Sequence, residues 1–283
     1  MDRKVLKKVQ GMPAVDGAGV KLIRVLGKNT VKDFDPFLML DSFDSVNPDD
    51  YIAGFPMHPH RGIETISYIY KGGMVHRDSL GHEDAISDGE VQWMTAGSGI
   101  LHEETLPAVE RMLGVQLWLN LAADDKMVAP AYISVKREAI PEVSFPGGHL
   151  RVLAGRYDDA EGHQAQYLPL DYYDLHLDAG ASLVLNTEAN HTVVLFTIEG
   201  DAMVGGERVA AKTAVLSSKG DRITIGATEE PAQVLFMSSQ PLDEPVVWGG
   251  PIVMNTKEEL QQAFDELNNG TFLRDKMTYS EES

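Results

Sequence analysis

Two histidines stand two positions apart in the segment HPHRGIETISYIY, which covers residues 58–70. Residues i and i+2 of a strand point to the same face, so His58 and His60 direct both imidazoles to one point if Pro59 keeps the backbone extended. Two imidazoles directed at one point are the beginning of a site for a transition-metal ion. The plain alternative is a pair of loop histidines in water, and this pair alone does not decide between them.

A second pair of the same kind lies in ILHEET, residues 100–105. His102 and Glu104 share one strand face there, whereas Glu103 points to the other. Three neutral imidazoles and one carboxylate form a nitrogen and oxygen donor set suited to iron(II), manganese, nickel or zinc, with open positions if the ion is octahedral. Two such pairs in a chain with nine histidines favour a metal site over solvated side chains.

Glu64 competes with Glu104 for the place of the carboxylate ligand. It follows His60 by four residues and has the same parity if the strand is regular, although Gly62 interrupts the pattern. Parity and the pairing with His102 favour Glu104. Glu64 is kept as an alternate ligand or as a residue behind the ligands.

The elements that must position these residues are strands. Short alternating or apolar runs separated by glycine, aspartate and proline recur along the chain, for example VKLIRVL (20–26), GVQLWLNL (114–121) and VVLFTIEG (193–200). This spacing predicts an all-β chain arranged as a sandwich or barrel. One helix is predicted near the end, capped by Thr256 and stopped by Gly270.

Two domains are predicted from a pause in the strand pattern across residues 122–149. A boundary near residue 140 divides the chain into domains of residues 1–140 and 141–283. Both pairs of candidate ligands fall in the first domain. In the second, His191 has no histidine or carboxylate two positions away, so that domain is expected to lack a metal.

Charge and composition exclude several classes of protein. Lys and Arg total 24 against 43 Asp and Glu, and the net charge of −19 disfavours direct binding to nucleic acid or to an anionic membrane surface. The absence of cysteine excludes disulfides, zinc–thiolate sites and thiol nucleophiles. No segment has the length and apolarity of a signal peptide or a membrane span. A cytoplasmic protein is therefore expected.

Two more histidines lie in VHRDSLGHED, residues 75–84. The content of aspartate, serine and glycine is typical of a solvated loop, and this interpretation is preferred over one in which His76 and His82 line the entrance of the site. Trp93 and Met94 precede a glycine-rich turn and are expected to fill the barrel rather than to line a pocket.

Four segments together resemble the pirin family of the bicupin superfamily: HPHRGIETISYIYKGG (58–73), DGEVQWMTAGSGILHEE (88–104), LGVQLWLNL (113–121) and WGGPIVMNT (248–256). The resemblance runs along nearly the whole chain. It implies two stacked cupin-type β-barrel domains, each a double-stranded β-helix, with a C-terminal helix and one mononuclear iron in the N-terminal barrel.

The resemblance also implies a set of ligands. In pirins these are the two histidines of HPHRG and the histidine and glutamate of the ILHxE segment, which fall on His58, His60, His102 and Glu104. In the broader cupin pattern the glutamate at position 64 is a metal ligand. In the pirin pattern Glu104 is the ligand instead. Iron(II) is the implied ion, with manganese, nickel, cobalt, copper and zinc as alternatives.

The activity implied by the resemblance is that of a quercetin 2,3-dioxygenase. An ion with four protein ligands leaves two positions for a substrate and dioxygen. The expected substrate is a flavonol or a smaller enolic compound, and a nearby carboxylate takes the proton of its hydroxyl group. Glu104 is the first candidate for that base and Glu64 is the second.

Two other functions stay open. Other pirins act as co-regulators, so a redox-sensitive binding protein that contacts transcription factors or metabolic enzymes is the alternative function. For that role the net charge of −19 favours protein partners over DNA. In the third reading the metal only braces the barrel.

Overall fold

Strands make up most of the regular secondary structure. A computed structural model describes residues 1–274 of the 283-residue chain. Within the described residues the first twelve strands are Val5–Gln10 (β1), Met12–Asp16 (β2), Val20–Leu26 (β3), Phe37–Ser45 (β4), Phe55–His60 (β5), Ile63–Lys71 (β6), Gly73–Asp78 (β7), Glu83–Ser87 (β8), Glu90–Thr95 (β9), Ile100–Thr105 (β10), Met112–Asn120 (β11) and Ala131–Val135 (β12).

The second half of the described chain continues in the same way. Its strands are Glu142–Phe145 (β13), Gly148–Ala154 (β14), Arg156–Tyr157 (β15), Ala160–Glu161 (β16), Leu170–Leu177 (β17), Ser182–Asn186 (β18), Thr192–Glu199 (β19), Ala202–Val204 (β20), Glu207–Val209 (β21), Thr213–Ser217 (β22), Arg222–Ala227 (β23), Ala232–Ser239 (β24), Val247–Gly249 (β25) and Ile252–Met254 (β26). The all-β prediction is confirmed.

Two α-helices accompany the strands, Val31–Phe34 (α1) and Lys257–Asn268 (α2). The predicted cap of α2 is present: Thr256 Oγ1 accepts from the backbone N–H of Glu259 at 3.1 Å, and the Glu259 carboxylate accepts from the N–H of Thr256 at 2.9 Å. Among the described residues, neither helix has the length and apolarity needed to cross a membrane. The cytoplasmic location stays a prediction.

The elements form two compact units. The histidine unit comprises residues 13–24, 37–137 and 243–274, and the companion unit comprises residues 1–12, 25–36 and 138–242. The predicted boundary near residue 140 lies beside the passage from Arg137 to Glu138. The units differ from the predicted domains in their ends, because β1 belongs to the companion unit and α2 to the histidine unit.

Two antiparallel sheets enclose the core of the histidine unit. The larger sheet has the strand order β12-β9-β6-β11-β4-β3-β2, and the smaller sheet has the order β5-β10-β7-β8. A buried apolar cluster draws Phe43 and Ile69 from the larger sheet and Met74 and Ile86 from the smaller. The interior of this unit therefore lies between two sheets whose inward-facing side chains alternate along each strand.

The companion unit has the same plan. Its seven-stranded sheet has the order β1-β22-β19-β24-β17-β14-β13, and its four-stranded sheet has the order β18-β23-β20-β21. The buried cluster of this unit includes Leu175 and Leu195 from the first sheet and Ile223 and Ile225 from the second. Each unit thus has its own hydrophobic core, as expected for two cupin-type domains.

The C-terminal segment of the histidine unit is tied to the residue that follows His60. Arg61 is fully buried, donates from its guanidinium to the carbonyl oxygens of Ser98 at 2.6 Å and Phe272 at 2.9 Å, and lies 4.2 Å from the centroid of the Phe272 ring. It also forms an ion pair with Glu266 at 2.7 Å. A buried guanidinium needs several acceptors. These contacts therefore fix the segment that carries Glu266 and Phe272 beside the histidine segment.

Lys126 makes a second tie between these segments. Its buried Nζ donates to Asn120 Oδ1 at 2.7 Å, to the carbonyl of Gly62 at 2.8 Å and to the carbonyl of Val253 at 3.2 Å. Burial lowers the pKa of the Lys126 ammonium to about 7, despite the opposing attraction of Glu244 and Glu259. The unfolded chain therefore binds more protons at this lysine than the folded protein does between pH 7 and 10.5.

The free energy of unfolding is expected to rise with pH through that window. Going from pH 7 to pH 9 should stabilise the wild type by about 2 kcal/mol more than it stabilises Lys126→Met, in which the titrating group is gone. Urea unfolding at pH 7, 8 and 9 measures the difference, with Lys257→Met on the exposed surface of α2 as the control. Parallel curves for the wild type and Lys126→Met would contradict the lowered pKa.

Candidate metal centre

Three of the four predicted ligands meet in the structure. Strand β5 carries His58 and His60, β10 carries His102, and the antiparallel pairing of these strands sets His102 opposite His58. One ring nitrogen from each of the three histidines lies within 4.8 Å of the others. His60 and His102 are buried and His58 is half-buried, so the cluster lies in the interior and opens on the side of His58.

Hydrogen bonds behind the first two rings fix where their protons are. His58 Nδ1 lies 2.8 Å from the carbonyl oxygen of Pro56, and His60 Nδ1 lies 3.0 Å from that of Pro251. A carbonyl oxygen only accepts, so each Nδ1 carries the proton and each Nε2 of the neutral ring carries a lone pair. The two Nε2 atoms lie 3.0 Å apart. Lone pairs at that distance repel unless a positive charge lies between them.

The third ring presents a nitrogen of the same kind. His102 Nε2 is buried and has no hydrogen-bond partner among residues 1–274, while its Nδ1 lies 3.4 Å from His76 Nδ1. Burial, together with the neighbouring histidines, lowers the pKa of His102 well below its usual range and that of His60 to about 3. Both rings are therefore neutral at ordinary pH, which is the form that binds a metal.

Glu104, the fourth predicted ligand, lies on the same strand but outside the cluster of three rings. Its buried carboxylate accepts hydrogen bonds from the side-chain amides of Gln92 and Gln116, the latter at 2.9 and 3.1 Å. These amides come from β9 and β11 of the opposite sheet. The carboxylate is thus held two residues from His102, and its role as a ligand stays a prediction.

Glu64 lies on β6 and is also outside the cluster. Its carboxylate accepts from Thr95 Oγ1 at 2.7 Å, at a point where the register of β6 and β9 sets the two residues opposite each other. Burial raises the pKa of Glu64 and outweighs the hydrogen bonds from Thr95 and Trp93.

His76 occupies a different place from the one predicted. The solvated-loop interpretation of residues 75–84 is wrong for His76, which is fully buried at the fourth position of β7. Its Nε2 lies 3.0 Å from Asp78 Oδ2, and its ring stacks on Tyr132 with centroids 4.0 Å apart. The side chain of His82 is 44% exposed and fits the loop interpretation. Composition misled because Asp78, although it accepts hydrogen bonds from the turn that follows it, is buried and also binds the buried His76.

An aromatic wall borders the cluster on the side of His60. The Trp118 ring meets the His60 ring edge to face at 5.0 Å, and Trp248 lies 5.5 Å beyond Trp118. Trp93 and Met94 are buried, in agreement with their predicted role as barrel filling.

Sequence reasoning did not single out Gln92, Gln116, Asp78 or Trp118. A signal was available for the two glutamines, since each is a polar residue within a strand whose every residue is buried. Such residues are rarely tolerated in a core without a buried partner.

Two units of the cupin plan, one with three imidazoles converging from two paired strands, define a bicupin. The family model described as Pirin matches residues 19–119, and the one described as the pirin C-terminal cupin domain matches residues 172–273. The chain belongs to the pirin family. The resemblance found in the sequence and the predicted bicupin fold are both confirmed.

Relatives with these names span almost the whole chain. A Pseudomonas aeruginosa protein, provisionally named a quercetin 2,3-dioxygenase, is 43% identical over 279 residues, which cover 95% of this chain and 97% of that protein. Human pirin is 38% identical over 275 residues, which cover 94% of this chain and 93% of that protein.

Solved structures agree with the fold. The crystal structure of a quercetin 2,3-dioxygenase from Acinetobacter baumannii has a TM-score of 0.89 at 34% identity and covers 96% of this chain and 99% of that one. A bacterial pirin from Escherichia coli, crystallised with nickel(II), has a TM-score of 0.63 at 21% identity and covers 83% of this chain and 98% of that one. At this identity the second likeness is one of fold alone.

Removing any one ring of the cluster should abolish tight binding of a divalent transition-metal ion. His58→Ala, His60→Ala and His102→Ala are each expected to weaken binding of Co²⁺ by more than about 100-fold, the upper end of the loss seen on removing a residue behind a ligand. Titration calorimetry with Co²⁺ alone measures the affinity. His191→Ala in the companion unit is the control and should match the wild type. Undiminished affinity in all three variants would place the metal elsewhere.

Proposed function

We propose that this protein is an iron-dependent dioxygenase that opens a flavonol such as quercetin or a smaller enolic compound. The ligands in this proposal are His58, His60, His102 and Glu104. The observation that carries it is the convergence of three imidazoles, two of which donate from Nδ1 to backbone carbonyls and so direct Nε2 toward the cluster. The relatives whose names include quercetin 2,3-dioxygenase support the reaction class.

The donor set fits iron(II). Imidazole nitrogens and one carboxylate are borderline to hard ligands, which suit iron(II) and also manganese, nickel, cobalt, copper and zinc. The chain has no cysteine to favour a thiolate metal site. Bound iron(II) would supply Lewis acidity and one-electron chemistry toward dioxygen.

The side chains around the cluster have separate tasks in this proposal. Glu104 accepts the proton of the substrate hydroxyl, and Gln92 and Gln116 hold its carboxylate in place through their amides. The rings of Trp118, which is buried, and Trp248, which is half-buried, form an apolar surface beside His60, on which a flat aromatic substrate can stack. This wall also limits the access of water to the reacting atoms.

Turnover of quercetin tests the proposal directly. Protein loaded with iron(II) under anaerobic conditions should consume dioxygen when quercetin is added, and carbon monoxide should be released. The rate must exceed that of the same concentration of free iron(II). His58→Ala is expected to abolish the excess. Iron binding with no dioxygen consumption for quercetin or any smaller enolic compound would contradict the dioxygenase and leave a metal-binding protein.

The two glutamates are separated by comparing their amide variants. Glu104→Gln is expected to lower kcat by about 10²–10⁴-fold, because it removes the proposed base, whereas Glu64→Gln should change kcat by less than about threefold. Metal content measured on the same samples distinguishes lost ligation from lost proton transfer. If Glu64→Gln shows the larger loss with its metal retained, Glu64 is the base.

A further inference from the structure

Asp78 is a buried carboxylate with four donors around it. Oδ1 accepts from the backbone N–H groups of Leu80 at 2.9 Å and His82 at 3.1 Å, and Oδ2 lies 2.9 Å from His82 Nδ1 and 3.0 Å from His76 Nε2. Burial acts to raise the pKa of Asp78, but the hydrogen bonds from His76 and His82 outweigh it and lower the pKa. The side chain is therefore an ionised acceptor, fixed in orientation by the backbone of its own turn.

The proton on His76 follows from this contact. An ionised carboxylate can only accept, so His76 Nε2 carries a proton and, in the neutral ring, His76 Nδ1 carries a lone pair. That lone pair faces His102 Nδ1 at 3.4 Å. The contact is a hydrogen bond only if His102 donates, which puts the His102 proton on Nδ1 and leaves Nε2 free toward the other two rings. Asp78 thus sets the proton position on His76, and His76 sets the proton position on His102.

The ring plane of His76 is held as firmly as its hydrogen bonds. Tyr132 stacks on it at 4.0 Å with an interplanar angle of 12°, and the register of β7 and β10 sets Asp78 opposite His102. His58 and His60 differ, because their Nδ1 atoms donate to backbone carbonyls that no side-chain substitution removes. Among the three rings of the cluster, only His102 depends on side chains for its proton position.

We propose that His76 and Asp78 are positioning residues that hold His102 in the tautomer and orientation required of a metal ligand. The inference rests on the proposed metal site. It assigns His76 no contact with substrate or metal. Hydrogen-bond partners behind histidine ligands commonly change metal affinity by about 10–100-fold when removed.

Co²⁺ alone is the probe, measured by competition with a chelator of known affinity. His76→Phe keeps the volume of the ring but removes both nitrogens, and it is expected to weaken Co²⁺ binding by about 10–100-fold. His76→Asn places an amide oxygen close to the position of Nδ1, so it can accept from His102 and should restore most of the affinity. His82→Phe is the matched control, because it removes the other side-chain donor to Asp78 without touching His102.

A spectroscopic readout separates positioning from general destabilisation. In the Co²⁺-loaded wild type, each ligand Nδ1–H is expected to give a strongly shifted, solvent-exchangeable proton signal, one for each of the three rings. His76→Phe should lose or displace one signal and leave the other two unchanged. A fold that is merely loosened would shift all three and lower the melting temperature of the metal-free protein.

The outcomes distinguish the inference from the proposal on which it rests. Wild-type protein that binds no Co²⁺ contradicts the metal site itself. If the wild type binds Co²⁺ and His76→Phe binds it with the same affinity and shows three unchanged signals, the role of His76 is overturned. If His76→Phe does not fold, Asp78→Asn carries the test: it should lose about tenfold in affinity while His76→Asn loses little, and equal affinities overturn the inference.

Discussion

Three imidazoles converge inside the histidine unit, and the groups behind the rings determine which nitrogens face the cluster. Two Nε2 atoms 3.0 Å apart repel each other when both carry lone pairs. Ordinary packing would relieve this by turning a ring, but each Nδ1 is held from behind by a carbonyl oxygen or by His76. A cation among the rings would remove this repulsion, which is why the arrangement predicts a metal.

The same requirement explains the polar residues buried around the cluster. A carboxylate inside a barrel is tolerated only with donors nearby, and Glu104 obtains them from glutamines on the opposite sheet. Asp78 obtains its donors from a turn and two histidines. The carboxylates of Glu104 and Asp78 therefore each have hydrogen-bond donors within the fold. The site is thus preorganised rather than assembled by the ligand.

That His58 and His60 share one face of their strand could be predicted from the sequence, because the two-residue period of a strand is a local property. The partners behind the rings could not. His60 donates to the backbone carbonyl of Pro251, and any residue type at that position has such a carbonyl. The two positions are also 191 residues apart in the sequence. His76 was misjudged because the composition of a ten-residue segment was averaged over the end of a strand and a loop. Glu104 was preferred by parity, and its amide partners depend on strand pairing that parity does not contain.

The carbonyl that orients His60 belongs to Pro251, and the carbonyl oxygens of Phe272 and Val253, which accept from Arg61 and Lys126, lie in the same late part of the chain. During synthesis this part leaves the ribosome only after the whole companion unit has been made. Until then His58 and His102 have the partners of their Nδ1 atoms, Pro56 and His76, whereas His60 lacks its own. The orientation of His60 is thus completed only after the companion unit has been made.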